Sequence, residues 1–483
     1  MGEFLMTNRN FKLLIVEDEK DPSDYISSSF SRVFKNIEIT LARSRDAAFE
    51  ILTANDVFFD LVTLDLRIPS VNGGLDQDPQ HGQGVLGKCL EVINGTPIVI
   101  ITGTSTVDMI DEFLASSERT DIWGCGSDKP TITHIRKENL ERLPAKIEEI
   151  YGDFEPIFNI EIDSNGISLP IEHDRLMRIF ARKHNGRLVR LQQLGGGLSI
   201  AKVYSLEIKD ITGNIILKAI AKCGPHPKIV EDSNNYDRSI SRLPPEATPR
   251  KLGFLKFGGA SCSAVFYGLA DGFLHSFFKA SENNLLNDAI RKVIQNILFN
   301  WYDNKRFTEC KIKEIRGTLI SDDEAKIIIK EFNIPEAIGF EENTVLCSKS
   351  LQHCDLHGEN ILINVECNNA LLIDYGDIKE NIRILDPITL ECSYLFHPSS
   401  TKVEWPSSKN IECWDNLESY IEECPFPDDI IFCREWTNSL KTGNREVSAC
   451  LYSYALRQLK YEGTDKNIAL KLINVAFRLY AQS

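Results

Sequence analysis

The sequence predicts an α/β doubly wound domain with a parallel five-stranded sheet, followed by an α+β domain of two lobes. Two patterns support this division. In residues 11–150, short and fully apolar runs alternate with segments of helical periodicity, which is typical of parallel strands covered by helices on both faces. From residue 188 onward strand-like runs come first, and helical segments dominate after residue 283, which is typical of an α+β domain. A chain of 483 residues is also long enough for more than one hydrophobic core.

The composition narrows the functional classes. The hydrophobic fraction is 42% and the charged fraction is 26%, and no apolar run approaches the roughly 18 residues of a membrane span. The net charge of −16 disfavours nucleic-acid backbones and anionic membranes as partners. Thirteen cysteines without a C-x-x-C pair favour reduced thiols, and the first residues do not resemble a signal peptide. We therefore expect a cytoplasmic protein without a membrane span.

The N-terminal part contains five predicted strand–helix pairs. The five strands, the last of them weak, cover residues 11–16, 37–40, 60–64, 97–101 and 121–124. The five helices cover residues 24–34, 46–53, 84–93, 107–116 and 137–150. Sequential strands joined by helices form a doubly wound open sheet, whose ligands bind beyond the carboxyl ends of the strands.

Acidic, hydroxyl and ammonium side chains follow these strands. They are Glu17, Asp18 and Glu19 after the first strand, Asp65 after the third, Thr102 at the end of the fourth and Lys129 after the fifth. Because the carboxyl ends of parallel strands share one edge of the sheet, we expect these side chains to lie together. Clustered carboxylates bind a hard cation such as Mg2+. An aspartate beside such a cation attacks a phosphoryl group, and hydroxyl and ammonium groups then bind the new phosphate oxygens.

The stretches 13–19, 60–69, 97–103 and 128–130 resemble the receiver domains of two-component response regulators, in the same order over residues 11–135. The resemblance implies Asp65 as the phosphoacceptor, Asp18 as a direct metal ligand and Glu17 as a supporting one. It further implies Thr102 as the switch hydroxyl and Lys129 as the phosphate partner. A sensor histidine kinase is the implied phosphate donor. Receiver domains often form dimers, so the resemblance also implies a homodimer as a candidate assembly.

Two features depart from the receiver pattern. The loop after Asp65, residues 70–83, is longer than usual. Gly126 stands three residues before Lys129, where the family commonly carries an aromatic side chain. These departures leave the chemistry of Asp65 intact, whereas the usual aromatic switch is not expected in its ordinary form.

Five further strands are predicted in the first lobe of the second domain, over residues 188–194, 200–208, 214–222, 253–257 and 264–269. Gly195, Gly196 and Gly197 join the first two of them. Glycines in a hairpin let backbone amides approach phosphates, although a plain flexible hairpin explains them equally well. Ser199 is a candidate further phosphate ligand.

A lysine on these strands is expected to bind the α- and β-phosphates of ATP and to pair with an acidic residue on the next helix. Lys218 and Lys222 share strand parity, and we prefer Lys222 because a glycine–proline turn and a helix with Glu231 follow it. Glu231 is the predicted partner of this lysine. The backbone at Tyr267 and Leu269 is the candidate contact for an adenine edge.

Residues 352–363 carry the strongest chemical signal of the chain. Asp355 is followed five residues later by Asn360 and, after an apolar run, by Asp374. Phosphoryl transfer from ATP uses this set, in which the first aspartate accepts the proton of the attacking hydroxyl and the other two side chains hold Mg2+ on the phosphates. Predicted strands at 361–363 and 370–373 would carry the three side chains on a rigid frame.

The same region resembles the catalytic loop of the aminoglycoside-phosphotransferase and choline-kinase branch of the protein-kinase-like fold. Its H-x-D-x-H-x-x-N pattern and the following I-D-[FYW]-G/E-D run are matched by His353, Asp355, His357, Asn360, Asp374, Gly376 and Asp377. The resemblance covers residues 185–483 and implies Asp355 as the catalytic base and Asn360 and Asp374 as Mg2+ ligands. It implies His353, His357 and Asp377 as structural supports. Cys354 replaces a more usual glycine, and residues 386–391 resemble the helix that buttresses such sites.

These patterns divide the chain into a receiver domain (10–150), a linker or transition (151–184), a kinase-like first lobe (185–271) and a kinase-like second lobe (272–483). The expected function is that of a response regulator whose phosphorylation controls a regulatory protein kinase using ATP and Mg2+. A small-molecule kinase and a non-catalytic nucleotide-binding scaffold are the alternatives. A zinc site formed by His353 and His357 is disfavoured, because a strand follows at once in place of the helix that such a site requires. The sequence leaves open the phosphoacceptor, the cognate histidine kinase and the sign of regulation.

Overall fold

The computed structural model describes residues 10–103, 117–194, 200–240, 243–268, 272–273, 275–400 and 405–483. These residues fall into two compact units, one drawn from residues 1–233 and 251–269 and the other from residues 234–250 and 270–483. The first unit is built on two large β-sheets, and the second combines two small sheets with many helices.

The first sheet is parallel throughout and has the strand order β2-β1-β3-β4-β7. Its strands are β1 (Phe11–Val16), β2 (Ile37–Ala42), β3 (Leu61–Leu64), β4 (Ile98–Thr102) and β7 (Ile132–Arg136). The accompanying helices are α1 (Lys20–Val33), α2 (Arg45–Thr53), α3 (Pro79–Val92), a 3-10 helix (Lys137–Arg142) and α4 (Leu143–Phe154). β5 (Arg119–Thr120) and β6 (Lys129–Pro130) form a separate antiparallel pair. The predicted doubly wound five-stranded sheet is therefore confirmed.

The central strands are buried on both faces of the sheet. Leu13 and Ile15 lie in one hydrophobic cluster, whereas Leu14 and Val16 lie in another. Successive side chains of a strand point to opposite faces, so each face of β1 has its own apolar layer. This two-sided burial explains why the strand is a continuous apolar run in the sequence.

The fifth strand of the parallel sheet differs from the prediction. Residues 121–124 form no strand, and β7 occupies the edge position beside β4. Ile132 is buried, but the other side chains of β7 are half-buried or exposed. An edge strand of this kind lacks the continuous apolar run that identifies central strands. The helix predicted over residues 107–116 lies outside the described residues.

A six-stranded sheet with the order β12-β13-β11-β10-β9-β8 belongs to the same unit. Its strands are β8 (Glu161–Asp163), β9 (Leu188–Leu194), β10 (Lys202–Lys209), β11 (Ile215–Pro225), β12 (Lys251–Leu255) and β13 (Cys262–Gly268). β8 runs parallel to β9, and the other neighbours are antiparallel. Helix α5 (Ile171–Lys183) precedes β9, and helix α6 (His226–Ser239) follows β11. The predicted mainly antiparallel first lobe is present, with β8 as an additional edge strand.

Residues 151–184, which the sequence assigns to a linker or transition, are folded and join the two sheets. They comprise the end of α4, a 3-10 helix (Glu155–Asn159), β8 and α5. Arg175 on α5 is fully buried, and its Nε donates a hydrogen bond to Asp60 Oδ1 at 2.9 Å. Its Nη2 also donates to the carbonyl of Asn10 at 2.9 Å. Residues 171–183 therefore form a helix with a buried face, whereas composition alone suggested a loose connection.

The two sheets of the first unit share one hydrophobic cluster. Ile15 of the parallel sheet, Leu176 of α5 and Phe266 of the six-stranded sheet all belong to it. Backbone contacts reinforce the junction, because Gly95 N–H donates to the carbonyl of Ala260 at 2.7 Å. A Cβ at Gly95 would lie 2.7 Å from that same oxygen, so the close approach requires glycine.

The second unit contains two three-stranded antiparallel sheets, with the orders β14-β17-β18 and β15-β16-β19. Their strands are β14 (His275–Ser276), β15 (Arg306–Lys311), β16 (Thr344–Gln352), β17 (Ile361–Asn364), β18 (Asn369–Leu372) and β19 (Lys379–Ile382). The longer helices are α8 (Asp288–Ile297), α11 (Asp322–Glu331), α13 (Leu385–Phe396), α16 (Pro427–Leu440), α17 (Asn444–Gln458) and α18 (Lys466–Ala481). The shorter ones are α7 (Phe277–Glu282), α9 (Phe299–Asp303), α10 (Ile312–Gly317), α12 (Glu336–Glu341), α14 (Ser408–Glu412) and α15 (Leu417–Tyr420), with 3-10 turns at Pro245–Ala247 and Gly358–Asn360.

Helices dominate the second unit, and the sheet β15-β16-β19 lies among them in the chain. β16 and β19 flank residues 353–378 in the chain, so they anchor both ends of this segment. Among the helices that the structure describes, none combines the length and apolarity needed to cross a bilayer.

Candidate functional site

Three carboxylates lie together at the carboxyl edge of the parallel sheet. Glu17 and Asp18 follow β1, and Asp65 follows β3. One carboxylate oxygen from each residue lies within 4.8 Å of the others. Glu17 and Asp65 are buried, and Asp18 is half-buried. The structure thus brings together the three side chains that the sequence predicts as metal ligands.

The environment of Asp18 fits a hard cation. Its Oδ2 accepts a hydrogen bond from Gln77 Nε2 at 2.5 Å. Its Oδ1 is buried and has no hydrogen-bond partner among the described residues. A buried carboxylate oxygen without a donor is costly unless a cation binds it. Carboxylate oxygens are the ligands that Mg2+ prefers, so the donor set suits this ion.

Lys137, rather than Lys129, is the lysine at this edge. Its Nζ lies 2.6 Å from Asp65 Oδ2 and 2.9 Å from Glu17 Oε2. The prediction for Lys129 is wrong in position, because its ammonium instead pairs with Glu149 at 2.9 Å and with Asp153. The physical reason is that β7, and not residues 121–124, is the fifth strand of the parallel sheet.

The strand β7 positions this lysine. Lys137 directly follows β7, which is the fifth strand of the parallel sheet, whereas Lys129 lies in the small β5–β6 pair. Residues 131–135 are β-branched apart from His134, and this is the sequence signal that would have located the strand. His134 stands three residues before Lys137, at the position where receiver domains commonly carry an aromatic side chain. The count from Lys129 had placed Gly126 at this position instead.

The electrostatics of this edge are dominated by burial. Burial raises the pKa of Glu17 to about 7, and the nearby carboxylate of Asp65 adds to the shift while Lys137 opposes it. Burial alone would lower the pKa of Lys137, but Asp65 and Glu17 outweigh it and raise this pKa. Thr102 is fully buried at the end of β4, in register with Arg136. A phosphoryl group added to Asp65 would therefore meet an ammonium ion already in contact with the acceptor.

The hairpin β17–β18 assembles the second candidate site. Ile361 pairs with Leu372, and Ile373 N–H donates to the carbonyl of Asn360 at 3.0 Å. Asn360 and Asp374 are therefore held next to the same end of the hairpin. Asn360 Nδ2 donates to the carbonyl of Asp355 at 2.8 Å, which ties the loop to the hairpin. The three residues predicted for phosphoryl transfer thus share one local framework.

The loop is supported from beneath by His353 and Asp386. His353 Nε2 lies 3.0 Å from the carbonyl of Ile373, which makes this nitrogen the donor. Asp386, at the start of α13, accepts hydrogen bonds from the backbone N–H groups of His353 at 2.8 Å and Cys354 at 2.9 Å. Burial raises the pKa of Asp386, and these hydrogen bonds oppose the shift. His353 and α13 thus occupy the supporting positions that the sequence assigns to them.

Two basic side chains, those of His357 and Arg457, lie near the carboxylate of Asp355. His357 Nε2 lies 3.7 Å and Arg457 Nη1 3.9 Å from its carboxylate oxygens. Burial raises the pKa of Asp355, Arg457 lowers it and Asp374 raises it further. Burial lowers the pKa of His357 to about 4, so its ring is neutral at pH 7. A raised pKa suits a carboxylate that accepts a proton during the reaction.

The histidines near Asp355 are engaged in other contacts. His353 faces a backbone carbonyl, and His357 lies 3.2 Å from Asn360 Nδ2. The ring of His357 also lies beside that of His397, tilted by 31° and with centroids 4.3 Å apart. In the part of the chain that the structure describes, the cluster of three potential metal ligands is the acidic one at Asp65. Asp377, predicted as a support, is exposed just after the loop.

Lys222 is paired with Asp232, not with Glu231. Its Nζ lies 2.5 Å from Asp232 Oδ2, and both side chains are buried. Glu231 is exposed and lies 3.8 Å from Lys228 Nζ, so the prediction of Glu231 as partner is wrong. Adjacent residues of a helix point about 100° apart, and the buried face of α6 carries Asp232. Lys218 lies half-buried on the same strand, and the ion pair favours Lys222 over it.

Several predicted nucleotide ligands lie outside the described residues. They are Gly195, Gly196, Gly197, Ser199 and Leu269. Tyr267 is described and lies in β13, where it pairs with Ile220 of β11. The sequence reasoning missed Lys137, Asp232 and Arg457. Only tertiary packing brings these three residues to their partners, so spacing in the chain carried no direct signal for them.

No protein-family model matches the sequence, and no curated protein matches it. Among solved structures, a phosphorylated cyanobacterial phytochrome response regulator is 21% identical, covering 29% of this chain and 91% of its own, with a TM-score of 0.22. A response regulator receiver domain protein from Clostridium thermocellum is 18% identical, covering 29% of this chain and 94% of its own, with a TM-score of 0.22. An ethanolamine kinase from Plasmodium vivax is 13% identical, covering 62% of this chain and 84% of its own, with a TM-score of 0.31.

The described residues thus contain a doubly wound parallel sheet with three carboxylates at its carboxyl edge. In the second unit, one loop and one hairpin carry Asp355, Asn360 and Asp374.

Proposed function

We propose that this chain is a response regulator whose Asp65 accepts a phosphoryl group and whose output is an ATP- and Mg2+-dependent phosphotransferase. The observation that carries the proposal is the assembly of Asp355, Asn360 and Asp374 by one loop and one hairpin. A sensor histidine kinase is the proposed phosphate donor for Asp65. A protein hydroxyl is the preferred final acceptor, because a receiver domain brings signal input to the enzyme.

The chemistry at the second site follows from the environment of Asp355. The hydroxyl oxygen of the acceptor attacks the γ-phosphorus of ATP, its proton passes to the Asp355 carboxylate, and the bond to the ADP oxygen breaks. Asn360 and Asp374 are the residues that would hold Mg2+, which neutralises charge on the phosphates when bound. Lys222, oriented by Asp232, is the proposed ligand of the α- and β-phosphates.

The chemistry at the first site follows from the carboxylate cluster. Glu17, Asp18 and Asp65 would hold Mg2+, which screens the incoming phosphoryl group when bound. An Asp65 carboxylate oxygen attacks the phosphorus, and the donor nitrogen or oxygen leaves. Lys137 already lies 2.6 Å from Asp65 and would bind an oxygen of the new acyl phosphate.

The shared core of the first unit supports a route for regulation. Asp65 lies at the edge of the parallel sheet, and Lys222 lies in the six-stranded sheet that shares its hydrophobic cluster. A change of charge at Asp65 that repacks the parallel sheet would therefore act on the sheet that carries Lys222. The sign of this effect is left to experiment.

The test uses the full chain with Mg2+ and acetyl phosphate as phosphoryl donor, followed by measurement of ATP turnover. We expect labelling of the native chain, loss of labelling in Asp65→Asn, and a change of ATP turnover on labelling that Asp65→Asn does not show. Kinases of this mechanism turn over at about 1–100 per second. Asp355→Asn should abolish ATP turnover while MgATP binding is retained. Turnover by Asp355→Asn at the native rate would contradict the assignment of the base.

A small-molecule kinase is the second candidate function. The H-x-D-x-H-x-x-N loop is the observation that favours it, because His353, Asp355, His357 and Asn360 all match that pattern. A comparison of amino alcohols, aminoglycosides and protein hydroxyls as acceptors separates the two candidates.

A further inference from the structure

Arg457 faces the proposed catalytic carboxylate from helix α17. Its Nη1 lies 3.9 Å from Asp355 Oδ1, and its Nε donates a hydrogen bond to Tyr461 Oη at 3.0 Å. The distance to Asp355 is longer than a hydrogen bond, so the guanidinium approaches this carboxylate without being fixed to it. Its side chain is 23% exposed, which leaves it accessible to a ligand.

Arg457 supplies the positive charge beside Asp355. Among the described residues, the ion-pair partners of Asp355 are His357 and Arg457. Arg457 stays charged at every physiological pH. A cation thus lies beside the carboxylate that is proposed as the base.

We propose that Arg457 binds the transferred phosphoryl group. This inference rests on the proposed phosphotransferase function. A guanidinium has five N–H donors, and Nε alone is committed to Tyr461 by a hydrogen bond. The Nη groups bind the equatorial oxygens of the phosphoryl group while it moves from the ADP oxygen to the acceptor oxygen. Charge on these oxygens is what a preorganised guanidinium stabilises in phosphoryl transfer.

The experiment compares Arg457→Gln with Arg445→Gln in the full chain. Arg445 is an exposed residue of the same helix and stacks on Tyr480 instead, with its guanidinium carbon 4.9 Å from the ring centroid. Binding of MgATP and MgADP is measured by calorimetry for each chain. We expect Arg457→Gln to weaken MgATP binding about tenfold, the effect of losing one charge-assisted hydrogen bond, and to leave MgADP binding within about twofold. Arg445→Gln should change neither.

Two further measurements protect the test from a folding defect. Arg457→Lys, which keeps the charge, should restore part of the difference between MgATP and MgADP, and thermal unfolding should be alike for both glutamine variants. Equal losses for MgATP and MgADP would overturn the role of Arg457 alone. Failure of the native chain to bind MgATP would overturn the proposed function as well.

Discussion

Replacing Arg175 by methionine should destabilise both sheets of the first unit together. Arg175 Nε and Nη2 bind the two oxygens of Asp60 at 2.9 and 3.3 Å, and Nη2 also binds the carbonyl of Asn10. Methionine keeps much of the aliphatic volume but removes these three hydrogen bonds. Asp60 would retain one donor, the backbone N–H of Lys12 at 2.9 Å, while its carboxylate stays buried.

The expected loss is about 4 kcal/mol, within the range measured when one partner of a buried ion pair is removed. This is a large fraction of the roughly 5–15 kcal/mol by which folded domains are stable. Native-state hydrogen exchange of the full chain is the assay, followed separately for peptides of β1 and β3 and for peptides of β9 and β10. Arg175 lies on α5, and residues of this helix belong to the hydrophobic cluster that both sheets share. Both groups of peptides should therefore lose protection by the same free energy.

Arg190→Met is the matched control for this experiment. Arg190 pairs with Asp163 at 3.0 Å, but the two side chains are 52% and 39% exposed. An exposed pair of this kind contributes about 0.5 kcal/mol. The reasoning would be refuted if Arg175→Met cost no more than Arg190→Met. Loss of protection in one sheet without the other would refute the shared core.

Three further predictions concern charged groups of the first unit. Lys137→Ala should reduce acetyl-phosphate labelling at least tenfold, whereas Lys129→Ala should leave it unchanged. The pKa of Glu17 in the folded protein, about 7, exceeds its ordinary value of 4.5. The free energy of unfolding should therefore fall as pH rises from 4.5 to 7. In urea titrations, Glu17→Gln should lack this dependence of the free energy of unfolding on pH. Asp232→Asn should weaken MgATP binding about tenfold in calorimetry, because it removes the partner of a buried charge, while Glu231→Gln should not. Weaker MgATP binding by Glu231→Gln than by Asp232→Asn would support Glu231 as the partner of Lys222 instead.

Residues with strong local signals were placed correctly from the sequence. The strands β1, β3 and β4 are buried on both faces, so their apolar runs needed no tertiary information. Glu17, Asp18 and Asp65 follow directly from the rule that parallel strands end at one edge. Asp355, Asn360 and Asp374 were found for a similar reason, because a short loop and one hairpin hold all three.

Residues whose role depends on contacts distant in the chain were misplaced. The lysine at Asp65 was assigned to position 129 because the edge strand β7 has no continuous apolar run. The partner of Lys222 was assigned one residue too early, since the sequence does not show which face of α6 is buried. The segment 151–184 was taken as a linker or transition because residues 151–170 are rich in Asp, Asn, Gly and Pro, although α5 buries Arg175 against Asp60.

The sequence by itself therefore determined the two folds, the acidic edge and the Asp355 loop, since each depends on residues close together in the chain or on strand ends that any parallel sheet aligns. Tertiary structure alone decided that Lys137 contacts Asp65, that Asp232 contacts Lys222 and that Arg457 contacts Asp355. These contacts depend on the rotation of a helix or the position of an edge strand, and packing of distant surfaces sets both.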